Sequence, residues 1–215
     1  MPISLISLNG NTVSVVSLPA TPAFESLDWT GTTSVGVVTS IFTGQVQVQL
    51  WPGADNRSGV ATLPPMTKVE AKPWKAALLQ LQGMANGFFL GDPLGVTPDG
   101  VVQGSPAIDG SIPVEPGTTT IYSLGWVPSQ TNLLLPFDYI QIGYRLYTVL
   151  DVVSSDASGK APINIWPSLR ETPINGETIA TSNAQGLFRL AKNGVTWSED
   201  FTKLTHISFS FQEYR

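Results

Sequence analysis

Thr205-His206-Ile207-Ser208-Phe209-Ser210-Phe211-Gln212 alternates apolar and polar side chains without a break. Side chains of an extended strand point alternately to its two faces. Ile207, Phe209 and Phe211 therefore share one face, and His206, Ser208, Ser210 and Gln212 the other. Such a pattern predicts a strand paired inside a sheet, and it sets a mainly β reading for the chain.

Working outward, the same reading applies to Gly186-Leu187-Phe188-Arg189-Leu190 and Val195-Thr196-Trp197-Ser198. Strand-like runs also cover 119–126, 139–142, 145–153 and 162–166. Ser154-Ser155-Asp156-Ala157-Ser158-Gly159 is a turn joining the last two. Residues 1–66 read as strands and turns, punctuated by Asn9-Gly10-Asn11, Pro19-Ala20-Thr21-Pro22, Gly53-Ala54-Asp55-Asn56 and Pro64-Pro65. In Gln45-Val46-Gln47-Val48-Gln49-Leu50-Trp51 the glutamines define a polar face, and Val46, Val48 and Leu50 predict a half-buried one. Residues 91–118, rich in Gly, Pro and Asp, predict a long loop or very short strands.

One segment breaks the pattern. From Pro73 the apolar residues Trp74, Ala77, Leu78, Leu81 and Ala85 recur at three- and four-residue steps, which is one helical face. The expectation is a helix over 73–85, with Pro73 at its first position and Gly83 or Gly87 beyond its end. Trp74, Ala77, Leu78 and Leu81 form its packed face. Composition divides the chain into a β-sandwich core over 1–92 plus 187–215, carrying the flanking helix, and an inserted β subdomain over 93–186.

With 215 residues, of which 42% are hydrophobic, the chain can bury a proper core. Charged residues make up only 13%, against roughly 25% in ordinary globular proteins. Short-looped β structure explains part of that. Burial of surface in an assembly explains it too, because interface cores are poor in charge. The net charge is -5 and the pI about 4.7, and no cluster of Lys or Arg occurs. Phosphate neutralisation drives nucleic-acid binding, so tight binding of DNA or RNA is not expected, and neither is a polybasic membrane anchor. The N-terminus lacks a signal-peptide pattern and no apolar run reaches the length of a membrane span, which predicts a chain made in the cytoplasm with no membrane partner.

Enzyme chemistry has little to build on. The absence of cysteine removes thiol nucleophiles, disulfides and Cys-ligated zinc. The one histidine, His206, stands on the polar side of a strand, and no nucleophile-elbow motif accompanies it. Carboxylate pairs could come from Asp92, Asp99, Asp109, Asp151 or Asp156, but most occupy turn sequences, where Asp bonds its own backbone. Asp156-Ala157-Ser158-Gly159 lacks the ligand spacing of a calcium loop. Trp29, Trp51, Trp74, Trp126, Trp166 and Trp197 could form a sugar-stacking platform. Packing at sheet ends is the preferred reading, and Trp74 belongs to the helix face. No catalytic, metal or cofactor site is expected.

Several motifs resemble minor tail proteins of long-tailed bacteriophages. These are Gly87-Phe88-Phe89-Leu90-Gly91-Asp92-Pro93-Leu94-Gly95, then Phe137-Asp138-Tyr139-Ile140-Gln141-Ile142-Gly143 with Leu146-Tyr147-Thr148-Val149. Ile163-Asn164-Ile165-Trp166-Pro167-Ser168-Leu169-Arg170 and Gly186-Leu187-Phe188-Arg189-Leu190 complete the set. The likeness covers roughly 73–215 and is structural, so it transfers no active-site residue. It implies a tail-tip component of the virion, of the distal tail protein type. Such a protein has a tail-tube-like β-sandwich with a flanking helix and forms a ring, expected to be hexameric, around the DNA channel. The implied partners are other copies of the chain, the tail tube protein, the baseplate hub and the tape measure protein, with DNA only in passage. Many members of that type end in a galectin-like domain; the final strand and the insertion at 93–186 depart from that order. The alternatives are another minor tail or adaptor protein, or a carbohydrate-binding module contacting the host surface.

Overall fold

In the computed structural model the described residues are 3–8, 10–51 and 53–215. Asn9 of the predicted Asn9-Gly10-Asn11 turn, and Met1 and Pro2 of the N-terminus, lie outside them. The protein is mainly β, with a single α-helix and several sheets. The strands are β1 (Ile3–Leu8), β2 (Asn11–Val16), β3 (Ser26–Thr32), β4 (Val35–Thr39), β5 (Val46–Leu50), β6 (Asn56–Thr62), β7 (Gly87–Leu90) and β8 (Gly104–Ile108). They continue with β9 (Thr120–Trp126), β10 (Tyr139–Ile142), β11 (Arg145–Val149), β12 (Ala161–Trp166), β13 (Ile179–Ala180), β14 (Gly186–Leu190), β15 (Thr196–Glu199) and β16 (Thr205–Glu213). The helix α1 spans Lys68–Gln80. Two compact units divide the chain: Met1–Thr30, Arg57–Leu90 and Gly186–Arg215 form one, and Gly31–Asn56 and Gly91–Gln185 the other. Residues 31–56, grouped with the first unit on composition, thus belong to the second. Their membership depends on long-range contacts that composition does not record.

The first unit is built on a sheet ordered β1-β2-β7-β14-β16-β6-β3, with β15 also paired to β16. Residues of β16 alternate between buried and more exposed positions along its length. Its buried face carries an aromatic core. Phe211 meets Trp29 and Phe188 edge-on at centroid distances of 5.1 and 5.4 Å. Phe209 meets Phe24 and Phe88 at 6.3 and 6.1 Å. Edge-to-face pairing of this kind adds to the apolar area each ring removes from water.

Helix α1 closes onto this core. Trp74, Ala77 and Leu78, with Leu81 just past the helix end, are all buried, and the Trp74 ring packs edge-on against Phe24 at 5.4 Å. The helix begins earlier than its apolar period predicts. Glu70 reaches back to accept hydrogen bonds from the Thr67 N–H at 2.9 Å and the Thr67 hydroxyl at 2.7 Å. That contact satisfies an otherwise orphaned donor of the first turn. Pro73 therefore lies inside the helix rather than at its start, where its missing N–H removes one intrahelical bond. The end also differs: residues 81–85 leave the helix, and Ala85 is exposed.

The second unit holds a sheet ordered β13-β10-β11-β12-β9-β8. Its core includes Ile121, Leu133, Ile140, Val149, Ile163 and Ile165, all buried. The stretch 91–118, predicted as loop or very short strands, contains a short 3-10 turn, Pro93–Gly95, and β8. A buried carboxylate organises the approach to β10. Asp138 accepts hydrogen bonds from the N–H groups of Asp99 at 2.8 Å, Gly100 at 3.2 Å and Leu135 at 2.7 Å.

Strands β4 and β5 form a separate two-stranded sheet within this unit. Register pairs Val35 with Leu50, Val37 with Val48 and Thr39 with Val46, so one face of the hairpin is apolar. The expectation of a half-buried strand fails here. Val37 is 61% and Val48 62% exposed, and Ile41 and Phe42 at the tip are each 91% exposed. The strand alternation is present, but no layer of the described residues covers its apolar side.

Candidate functional site

Four of the five carboxylates singled out in the sequence are held in local structural roles, while Asp99 enters only through its backbone N–H, which donates to Asp138. Asp92 accepts from the Leu94 N–H at 2.9 Å and the Tyr139 hydroxyl at 3.0 Å. Asp151 accepts from the Asn164 amide at 2.7 Å. Asp156 closes its turn by accepting from the Ser158 and Lys160 N–H groups at 2.7 and 2.9 Å. Asp109 is paired with the Lys160 ammonium at 2.6 Å. Asp109, Asp156 and Lys160 share a cleft of about 440 Å³. Among the described residues no group of three or more His, Asp or Glu side chains is placed to hold a metal ion. His206 lies 3.4 Å from Asp200, whose own carboxyl is held down to about 2 chiefly by the Thr202 hydroxyl and the Leu204 N–H.

The Asp109 pair has a measurable signature. The Lys160 ammonium and the Ser111 hydroxyl hold the Asp109 carboxyl down from 3.8 to about 2. A carboxyl lowered by folding contributes stability that is present above its unfolded pKa and is lost as pH falls through the folded one. Part of the acid destabilisation between 3.8 and about 2 should therefore vanish in Asp109→Asn. Melting temperature followed against pH checks this, and an unchanged acid limb would count against the pairing.

The tryptophans separate into three pairs. Trp74 and Trp126 are buried, and the Trp126 indole donates to the Ser123 hydroxyl at 2.7 Å. Trp197 is partly exposed beneath the Lys75 ammonium, 5.4 Å from the ring centre, and Trp29 is half-buried beside Arg57. Trp51 and Trp166 instead come together in the second unit, lining one cleft of about 670 Å³ with Tyr122 and Asp55. Glycine makes room for both rings. A Cβ at Gly36 would lie 2.5 Å from the Trp51 ring, and one at Gly31 would lie 2.7 Å from the Trp166 ring.

The loop bearing Asp55 is fixed by the segment after β12. The Gly53 N–H donates to the Ser168 hydroxyl at 3.0 Å, and the Ser168 N–H donates to Asp55 Oδ2 at 3.2 Å. The Arg170 guanidinium donates to the carbonyls of Gly53 and Asp55. Sequence reading weighed Trp51 and Trp166 among six tryptophans as a sugar-stacking platform, preferred packing at sheet ends, and did not single out Asp55. Comparison with the known protein families and with the curated proteins returns no match.

Proposed function

We propose that the chain is a non-enzymatic structural subunit of the tail tip of a long-tailed bacteriophage. In this reading it forms a closed, hexameric ring around the DNA channel and joins the tail tube to the baseplate hub or fibres. The observation that carries it is the β4–β5 hairpin. Its apolar face is exposed, its strands pair among the described residues only with each other, and residues 29–54 contain no charged side chain. Free-standing proteins protect such edges with Lys, Pro or bulges, and large exposed apolar patches mark association surfaces. A second copy of the chain, in a heterologous contact that closes into a ring, covers such a surface.

Other features support the same reading. Charge is scarce across the chain, and the motifs resembling tail proteins fall on strands and turns: β7, β10, β11, β12 and β14. The net charge of -5 suits a conduit, because Lys or Arg along a lumen would bind DNA by releasing counterions. The other partners in this reading are the tail tube protein, the baseplate hub and the tape measure protein.

The test combines an electron cryomicroscopy map of the assembled particle with the double substitution Val37→Lys and Val48→Lys. The substituted chain is expected to keep its far-ultraviolet circular dichroism and to fail to enter particles. A chain lying outside the tube as a fibre or spike, or a doubly substituted chain that assembles as well as the parent, would overturn the ring. A lumen belt of Lys and Arg would overturn the electrostatic part alone.

A further inference from the structure

We infer that the cleft of the second unit lined by Trp51, Tyr122, Trp166 and Asp55 is a binding site for a neutral saccharide. The inference does not depend on the ring assembly. The cleft measures about 670 Å³, inside the roughly 300–1,000 Å³ range of small-ligand sites. Three aromatic side chains line it, and Trp51 is 49% exposed. Sugars present C–H faces that pack on aromatic rings, and hydroxyls that need polar partners.

Asp55 supplies such a partner. It is 7% exposed and lines the cleft. Its Oδ2 accepts from the Ser168 N–H, while among the described residues no donor reaches Oδ1. Oδ1 is open to solvent, so water meets it in the free chain and a ligand hydroxyl can take the place of that water. Adjacent sugar hydroxyls donate to a carboxylate in this way. Thr33 and Thr119 also line the cleft, and among the described residues neither hydroxyl has a hydrogen-bond partner. The hydrogen bonds from Ser168 and Arg170 hold the Asp55 loop in place before any ligand arrives, which lowers the ordering cost of binding.

The lining also says what the ligand is not. It contains no Lys, Arg or His, so a phosphate, a sulfated sugar or a sialic acid would meet Asp55 with no countercharge. A wholly apolar ligand would leave Asp55 without a donor. A small quaternary amine could sit on the rings, but it would leave the threonine hydroxyls unused.

The test titrates the full chain with glucose, galactose, mannose, N-acetylglucosamine and disaccharides of each, following tryptophan fluorescence and calorimetric heat. Choline chloride is the cationic control. At least one neutral saccharide should bind saturably. Trp51→Ala, whose far-ultraviolet circular dichroism is checked against the parent, should weaken binding at least about tenfold, the effect of losing one aromatic hot spot. Asp55→Asn, which keeps the shape and removes the charge, should weaken it as well, whereas Trp197→Ala in the other unit should not. No saturable response at tens of millimolar sugar would overturn the inference. So would binding unaffected by Trp51→Ala, or choline binding tighter than every sugar.

Discussion

Asp138→Ala is expected to destabilise the second unit by about 1–4 kcal/mol. The wild-type carboxylate is buried and accepts from three backbone N–H groups, those of Asp99, Gly100 and Leu135. Removing one partner of a buried hydrogen bond leaves the other unsatisfied at about 1–3 kcal/mol, and water meets the exposed Asp99 donor more readily than the other two. The donors belong to two separate loops, so alanine frees both segments from the start of β10. Asp138→Asn is the informative companion. Its amide oxygen can still accept, but its NH2 group would face backbone donors, so its loss should fall between alanine and wild type. Urea unfolding followed by fluorescence measures both. A loss below ~0.5 kcal/mol for alanine, the size of an ordinary surface substitution, would mean that the carboxylate is a bystander.

In the first unit, Leu78→Ala is expected to cost about 2–5 kcal/mol, the range of large-to-small truncations in packed cores. Leu78 is fully buried on the face of α1 that also carries Trp74 and Ala77. That face covers the aromatic core through the Trp74–Phe24 contact, so the truncation leaves a cavity that rigid rings cannot readily fill. Leu79→Ala provides the contrast: one position along, its side chain is exposed, and its truncation should be nearly neutral. Equal effects at the two positions would place the packed face of the helix elsewhere.

These substitutions also show which features a sequence can reveal. The packed face of α1 was legible because burial at helical spacing needs only the helix itself. The start of the helix was misplaced because Pro73 is a strong start signal. The competing signal, Thr67 followed three residues later by Glu70, was present but unread. In β16 the alternation matched burial, since neighbouring strands cover its face within the same chain. In β5 the same alternation marked the strand but not its surroundings: period two tells which side chains share a face, not whether anything covers them. Asp138 went unread because it sits in an apolar motif rather than a turn-rich one. The cleft was beyond sequence reasoning for another reason. Trp51 and Asp55 precede β6, while Trp166 ends β12, and only the folded chain brings the two regions together.

The position of β16 has a consequence for how the protein is made. It is the last strand of the described chain to leave the ribosome, yet it is hydrogen-bonded to β14, β15 and β6 in the interior of its sheet. Strands β1, β2, β3 and β6 therefore emerge long before the partner that completes their sheet exists. Sheets closed by distant segments fold slowly, and unpaired strands are prone to aggregate during the wait. The uncharged hairpin over residues 29–54 emerges in that same interval. Yield of soluble protein should thus depend on the pace of synthesis and on chaperone supply more than on the stability of the finished fold.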